Sequence, residues 1–179
     1  MHRLVAIALM VCVGFAVGGL AACGDDTKVV TDTGSNGQAT TQTVPDIHFA
    51  KTKFVLHSGL AFGAFHRYIY KPFKEGKFRS GAPGRRRTFV KAGLAGAFAY
   101  HELRVARKDA LASDTLRRHL VPLLDTLTSK FNLITTALKG GSLGSGAVLG
   151  AEAALNALKD RAAGDGAEIK DRSAPLPGA

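Results

Sequence analysis

The chain predicts an all-α domain, a small antiparallel bundle of about four helices with disordered ends, on three observations. Between residues 46 and 163, capping and breaking residues divide the sequence into helix-length pieces. In the third piece Leu116, Leu120, Leu123 or Leu124, Leu127, Phe131, Ile134 and Leu138 recur at steps of four and three, which lays one apolar stripe along a helix. On either side, residues 23–45 and 164–179 are polar or rich in Gly and Pro, with too little apolar surface to offset the entropy of ordering.

The first element is an export signal over residues 1–22. Met1, His2 and Arg3 form a short basic start, Leu4 to Leu20 an apolar stretch, and Ala21 and Ala22 the small residues before a cut. The stretch is marginal as a permanent span and contains Gly14, Gly18 and Gly19; an uncleaved anchor helix is the other way to read it. Cys23 stands at the expected cut, and Leu20-Ala21-Ala22-Cys23 resembles the lipobox of bacterial lipoproteins. The resemblance covers only these first two dozen residues. It implies cleavage before Cys23, a diacylglyceryl group on its sulfur and an acylated amine, with chains such as palmitate. The mature protein would then be extracytoplasmic, anchored by lipid to the outer face of the plasma membrane. Each buried methylene contributes about 0.8 kcal/mol, so two or three chains hold a domain where one would not. The only other cysteine, Cys12, leaves with the signal, so no thiol remains for a disulfide or a nucleophile.

Residues 23–45 read as a flexible tether, because Val29, Val30 and Ala39 are nearly their only apolar side chains. Asp46, after Pro45, caps a first helix over Ile47 to Tyr70, stopped at Lys71-Pro72 because the residue before proline avoids the helical region. Thr88 caps a second over Phe89 to about Ala110, with Arg104, Arg107 and Lys108 in its last turns, where cations suit the macrodipole. Ser113 caps the third, the leucine-striped helix, in which Pro122 predicts a kink or a break at Val121 and Gly140-Gly141 the end. A fourth runs from Ala147 to about Ala163. Residues 140–158 are apolar with Gly146 and Gly150 four apart; they read first as a bundle helix, and alternatively as a glycine-zipper face for another helix or a bilayer, which Glu152 makes costly. Residues 164–179 read as a disordered tail.

If helices one and two form an antiparallel hairpin, residues whose numbers sum to about 159 face each other. That brings Gly63 against Gly96, with Gly59 and Gly93 nearby, and small residues let two backbones approach closely; alternatively these glycines only weaken their helices. The same arithmetic sets His57 opposite His101. Two imidazoles are too few for a closed metal site and lie in no ligand-binding spacing, so they are weak metal or haem candidates, and no cofactor is expected.

Charge is the remaining clue. The whole chain carries +10, and residues 46–139 alone hold 18 Lys and Arg against 6 Asp and Glu. The connection between helices one and two gathers Lys71, Lys74, Lys77, Arg79, Arg85, Arg86, Arg87 and Lys91 against the single acid Glu75, with Phe73, Phe78 and Phe89 interleaved. Such a loop could serve nucleic acid, since cations meet phosphates and rings stack on bases. Beyond the plasma membrane, however, the abundant polyanions are lipid headgroups and wall polymers, so no nucleic-acid partner is expected. The expectation is that residues 71–91 lie on an anionic membrane or wall surface with the phenylalanines dipping into the interface, or meet a protein partner. The alternative is a solvated surface that keeps the domain soluble.

No Gly-x-Ser-x-Gly elbow, phosphate-binding loop or Ser-x-x-Lys signature occurs, and the six acids of residues 46–139 are scattered. The chain therefore predicts a non-catalytic, lipid-anchored envelope protein. The alternative function is a module that binds lipid or a small apolar ligand in a cavity between the Phe-rich, Gly-notched first two helices.

Overall fold

The computed structural model describes residues 27–33 and 37–174. Cys23 and the signal lie outside the described residues. The described chain is a helical bundle with one small hairpin, in the order β1 (Thr27–Thr33), β2 (Ala39–Pro45), α1 (Ala50–Phe65), a π-helical turn (His66–Tyr70), α2 (Lys71–Lys74), α3 (Arg85–Leu111), α4 (Asp114–Lys139) and α5 (Ser145–Gly164). α1, the π turn and α2 form one continuous rod, so the domain has four long helical elements. At about 1.5 Å per residue the rod is roughly 35 Å long.

Most of the segment read as a tether is the antiparallel hairpin of β1 and β2, in register from Thr27↔Pro45 to Thr33↔Ala39. Its Thr and Val residues are β-branched and stiff in the extended conformation, a preference that counting apolar residues overlooks. The hairpin docks through Val44, which is 2% exposed, and β2 touches α3. Asp46 does not cap α1: it lies 3.7 Å from Lys28, and the helix starts after Phe49, a non-glycine residue in the left-handed region at φ 57°.

Lys71-Pro72 does not stop the first helix. The turn before it widens, with the Lys71 N–H donating to the His66 carbonyl, five residues back. In a regular α-helix the proline ring would press on the carbonyl four residues earlier, and a wider turn relieves that contact. Pro122 likewise neither breaks nor splits α4; it is exposed, in an uninterrupted helix. Thr88 does not cap α3, which starts three residues earlier after Gly84 (φ 68°); the Thr88 hydroxyl donates back to the Gly84 carbonyl at 3.3 Å. Gly141 (φ 72°) ends α4, with Ser142 N–H donating to Ala137 O and Gly141 N–H to Leu138 O.

The core lies along α4. Its stripe of Leu116, Leu120, Leu124, Leu127, Phe131, Ile134 and Leu138 is buried from end to end. α3 packs on one side of it and α5 on the other, the latter through Val148, Ala151, Leu155 and Leu158, so residues 145–158 are a bundle helix. No helix of the described residues is long and apolar enough to cross a membrane. α1 packs on α3, where Ala92, Ala95, Ala99, Ala106 and Ala110 give a low surface under Phe54, Phe62 and Phe65, all fully buried. Phe65 also reaches Phe131 of α4, with ring centroids 5.2 Å apart. Phenylalanines and alanines thus fill the space between the first two long helices.

The chain after α5 is not a free tail as far as Ala174. Gly166 (φ 67°) turns it, with Ala167 N–H donating to Ala162 O at 2.7 Å, and Ala167, Ile169 and Ala174 are buried. This strap, residues 165–174, crosses α1. Arg172 N–H donates to Gly59 O at 2.8 Å, and a Cβ at Gly59 or Gly63 would collide with the carbonyl oxygen of Lys170 or Arg172. Close approach at the glycines is therefore real, but between different partners than the hairpin arithmetic proposes. Gly63 meets the strap, Gly96 meets Thr135 of α4, and nothing lies within 4 Å of a Cβ at Gly93.

Candidate functional site

The π turn and the strap make the two walls of an open groove of about 940 Å³. His66, Arg67, Tyr70, Lys71, Lys74 and Glu75 come from the rod, Asp171, Arg172 and Ser173 from the strap, and Gly63 lies between them. Gly63 allows the strap to lie this close, because any side chain there would displace the Arg172 backbone.

Three side chains pin the strap at Asp171. His66 Nδ1 bonds Asp171 Oδ2, its Nε2 lies 2.8 Å from Glu152 Oε2 of α5, and Lys159 Nζ donates to Asp171 Oδ1 at 2.6 Å. Both ring nitrogens of His66 face carboxylate oxygens. Burial pushes the Asp171 carboxyl up, but the bonds from Lys159 and His66 outweigh it and leave its pKa below the usual value. The strap's start is fastened as well: Lys51 Nζ donates to Asp165 O at 2.8 Å, and His119 Nδ1 lies 2.9 Å from Asp165 Oδ1.

The electrostatics of the groove are one-sided. Its two carboxylates are both engaged, Asp171 as above and Glu75 by Lys77 at 2.6 Å, a bond that lowers the Glu75 pKa. Arg67, Lys71 and Lys74 form no ion pair within 4 Å among the described residues, although the charge of Lys71 helps Lys77 to lower the Glu75 pKa. Arg67 stands over the Tyr68 ring at 5.4 Å and Lys74 over the Tyr70 ring at 5.7 Å. Three cations of the rod thus border a groove whose own carboxylates are already engaged; Arg172 meets it at Gly63 through its backbone, and its side chain runs back along Gly59. A second, smaller hollow continues the surface between Arg67, Lys71, Lys77 and Lys91.

The eight basic residues singled out in the sequence divide into different roles. Lys71 and Lys74 line the groove, Lys91 and Lys77 line the second hollow, and Arg79, Arg86 and Arg87 are exposed. Arg85 is a structural residue. Its Nε donates to Phe78 O at 3.0 Å, its NH2 nitrogen to Gly141 O at 2.9 Å, and its guanidinium stacks 4.5 Å over Phe89. The phenylalanines do not reach an interface: Phe78 and Phe89 are buried edge to face at 5.0 Å, and Phe73 packs against the core. They anchor the connection because the fold turns them inward, which residue order alone does not reveal.

The His57 and His101 pair does not form. His57 Nδ1 lies 2.6 Å from Glu102 Oε2, whose number sums with 57 to 159, while His101 is exposed. The antiparallel register was right to one residue, and a helix turns about 100° per residue, so the neighbour takes the contact. Among the described residues no group of three or more His, Cys, Asp and Glu side chains could hold a metal ion. Arg67, Arg172 and His66 are the site residues that the charge count missed. Arg67 lies four residues before Lys71 on the same rod, a spacing that could have found it; Arg172 needed the path of the strap.

No protein-family model, curated protein or solved structure matches this chain.

Proposed function

We propose that this chain is a non-catalytic, lipid-anchored protein of the bacterial cell envelope, which uses the basic end of its helical bundle to hold an anionic membrane or wall surface. The observation that carries the reading is the gathering of Arg67, Lys71 and Lys74 along one groove, none in an ion pair within 4 Å among the described residues, together with exposed Arg79, Arg86 and Arg87. Like charges held together repel, and a polyanion relieves that repulsion. The anchor reading rests on Leu20-Ala21-Ala22-Cys23. Only residues 24–26 separate Cys23 from β1 in the sequence, and Thr27 pairs with Pro45, so a lipid on Cys23 would hold the bundle from the side of the start of α1. The basic end lies at the other end of the rod, roughly 35 Å away. A bundle lying flat touches the membrane with it, and an upright one presents it to the wall.

Two measurements test this. Intact mass of the native protein is expected to show loss of residues 1–22 and an acyl increment on Cys23; an unmodified full-length chain overturns the anchor. A Cys23→Ser chain made without residues 1–22 is expected to sediment with phosphatidylglycerol vesicles and not with phosphatidylcholine vesicles. Arg86→Ser with Arg87→Ser should weaken that binding about thirtyfold, since each cation near an anionic surface contributes about 1 kcal/mol. Equal binding to both vesicles overturns the surface reading. Arg85 is left intact because it holds the fold.

A further inference from the structure

Phe49 is 82% exposed, more than any other large apolar side chain among the described residues. It also lies in the left-handed region, at φ 57° and ψ 34°, where a bulky residue is an outlier and glycine costs less. The fold uses the position through its backbone: the Phe49 carbonyl accepts the Lys53 N–H at 3.0 Å, and the chain turns there from β2 into α1. At that exposure the core makes little use of the ring. A strained backbone that carries a phenylalanine into water points to a role outside the folded chain.

The surroundings of Phe49 suit the interface of an anionic bilayer. Lys51 and Lys53, the second and fourth residues after it, are exposed. Leu56, about two turns further along the same face of α1, is 37% exposed, beside Lys51 and Arg172. The exposed acids nearby are already countered, Asp46 by Lys28 at 3.7 Å and Glu168 by Lys170 at 3.5 Å. Apolar side chains that enter the acyl boundary, ringed by cations that stay with the headgroups, are the pattern of an interfacial contact. The place of Phe49 in the chain says which surface it meets. From Cys23 to Thr27 the backbone spans at most about 14 Å, Thr27 pairs with Pro45, and Phe49 follows shortly after. A lipid on Cys23 therefore keeps this end of the bundle nearer the headgroups than the basic end.

We propose that Phe49 seats this end of the bundle in the bilayer, its ring entering the boundary between headgroups and acyl chains of an anionic membrane while Lys51 and Lys53 stay among the headgroups. What brings the membrane to Phe49 is the lipid on Cys23, so the seat rests on the anchor reading above. A lipid alone fixes a point; the ring beside it adds a second, which restricts how the bundle swings. Phe49 thus takes the part that Phe73, Phe78 and Phe89, packed inward, do not.

The chain contains no tryptophan, so Phe49→Trp places a single fluorophore at the seat. The native protein carrying it, reconstituted into vesicles of phosphatidylglycerol and phosphatidylcholine, is expected to emit at short wavelength and to be quenched by phospholipid with a nitroxide near the top of its acyl chain. Leu133→Trp is the control. Leu133 is 66% exposed on α4, next but one to Phe131, whose ring meets Phe65 at the far end of α1. Its emission should be that of a ring in water and resist the quencher. A second measurement uses the Cys23→Ser chain without residues 1–22, which keeps every described residue. There Phe49→Gly should weaken sedimentation with phosphatidylglycerol vesicles about tenfold, part of what burial of a whole ring contributes. Its thermal midpoint should be equal or higher, because glycine accepts the left-handed backbone. A native protein that does not remain with the vesicles overturns the anchor reading and the seat with it. One that remains while the Phe49→Trp emission stays that of a ring in water overturns the seat alone. So do equal quenching at the two positions, sedimentation that Phe49→Gly leaves unchanged, and a thermal midpoint that Phe49→Gly lowers, which would make the ring a part of the fold.

Discussion

The α3–α4–α5 wall and the strap side of α1 are held by different forces. The wall is closed by apolar burial: seven stripe residues of α4 are buried, with α3 and α5 packed against them. The strap lies on α1 through a backbone hydrogen bond at Gly59, backbone contact at Gly63, and ties from His66, Lys159, His119 and Lys51. Its burial is confined to Ala167, Ile169 and Ala174. Stability is therefore concentrated on one side of the molecule, and the candidate site on the other. A region held by a few polar ties opens at lower cost than one held by a core, as binding elements commonly do.

The largest expected effect breaks the wall. Phe131 is fully buried and its ring meets Phe65 of α1, so it joins the wall to the rod. Phe131→Ala should destabilise the protein by about 3–5 kcal/mol in urea denaturation. A loss below about 1 kcal/mol would mean that the stripe is not where stability resides.

The wall was the legible half of the molecule. Its periodicity sits in consecutive turns of one helix, and Ser113, Gly140 and Gly141 mark the ends within a residue of where they fall. The strap was not legible for a physical reason. Residues 165–174 have no periodicity because they form no regular element; they are ordered by contacts with residues about a hundred positions earlier, such as Asp171 with His66. Gly59 and Gly63 signalled that some backbone lies close to α1, but a missing side chain says nothing of who the neighbour is. Two of the groove's three cations are likewise visible, Lys71 and Lys74 in the basic connection, whereas Arg67 lies before that connection, inside the first helical piece. The hairpin was hidden differently, since its strands draw on β-branched threonines rather than on buried residues.

Two glycine substitutions sharpen the comparison at smaller magnitude. A Cβ at Gly63 collides with the strap's backbone, so Gly63→Ala should cost about 1–3 kcal/mol by overpacking. Amide hydrogen exchange should then accelerate across residues 167–174 and stay slow in α4. Gly93 is the control. It lies within α3, and a methyl group placed on its Cα would meet nothing within 4 Å, so Gly93→Ala should stabilise by about 0.5–1 kcal/mol through helix propensity alone. Equal and small effects at the two sites would show that the strap yields freely and that Gly63 has no structural role.

The smallest effect is electrostatic and concerns Asp171. Burial raises its folded pKa, but the bonds from Lys159 and His66 outweigh that and leave it depressed. A carboxylate with a depressed folded pKa contributes stability that is fully present above the unfolded pKa, about 3.9, and is lost as pH falls through the folded value. Asp171→Asn removes that contribution, so the two proteins should differ in strap protection from pH 5 to 8, and the difference should shrink progressively as the pH falls below about 4. The side chain is 36% exposed, so solvent screening holds the difference to less than about 1 kcal/mol. Of the wall's helices only α5 touches Asp171, through Lys159, so protection in α4 should be the same in both proteins at every pH. A difference that does not shrink at all as the pH is lowered below 4 would show that Asp171 fastens the strap by shape rather than by charge, and would move the tie to Gly59 and Gly63.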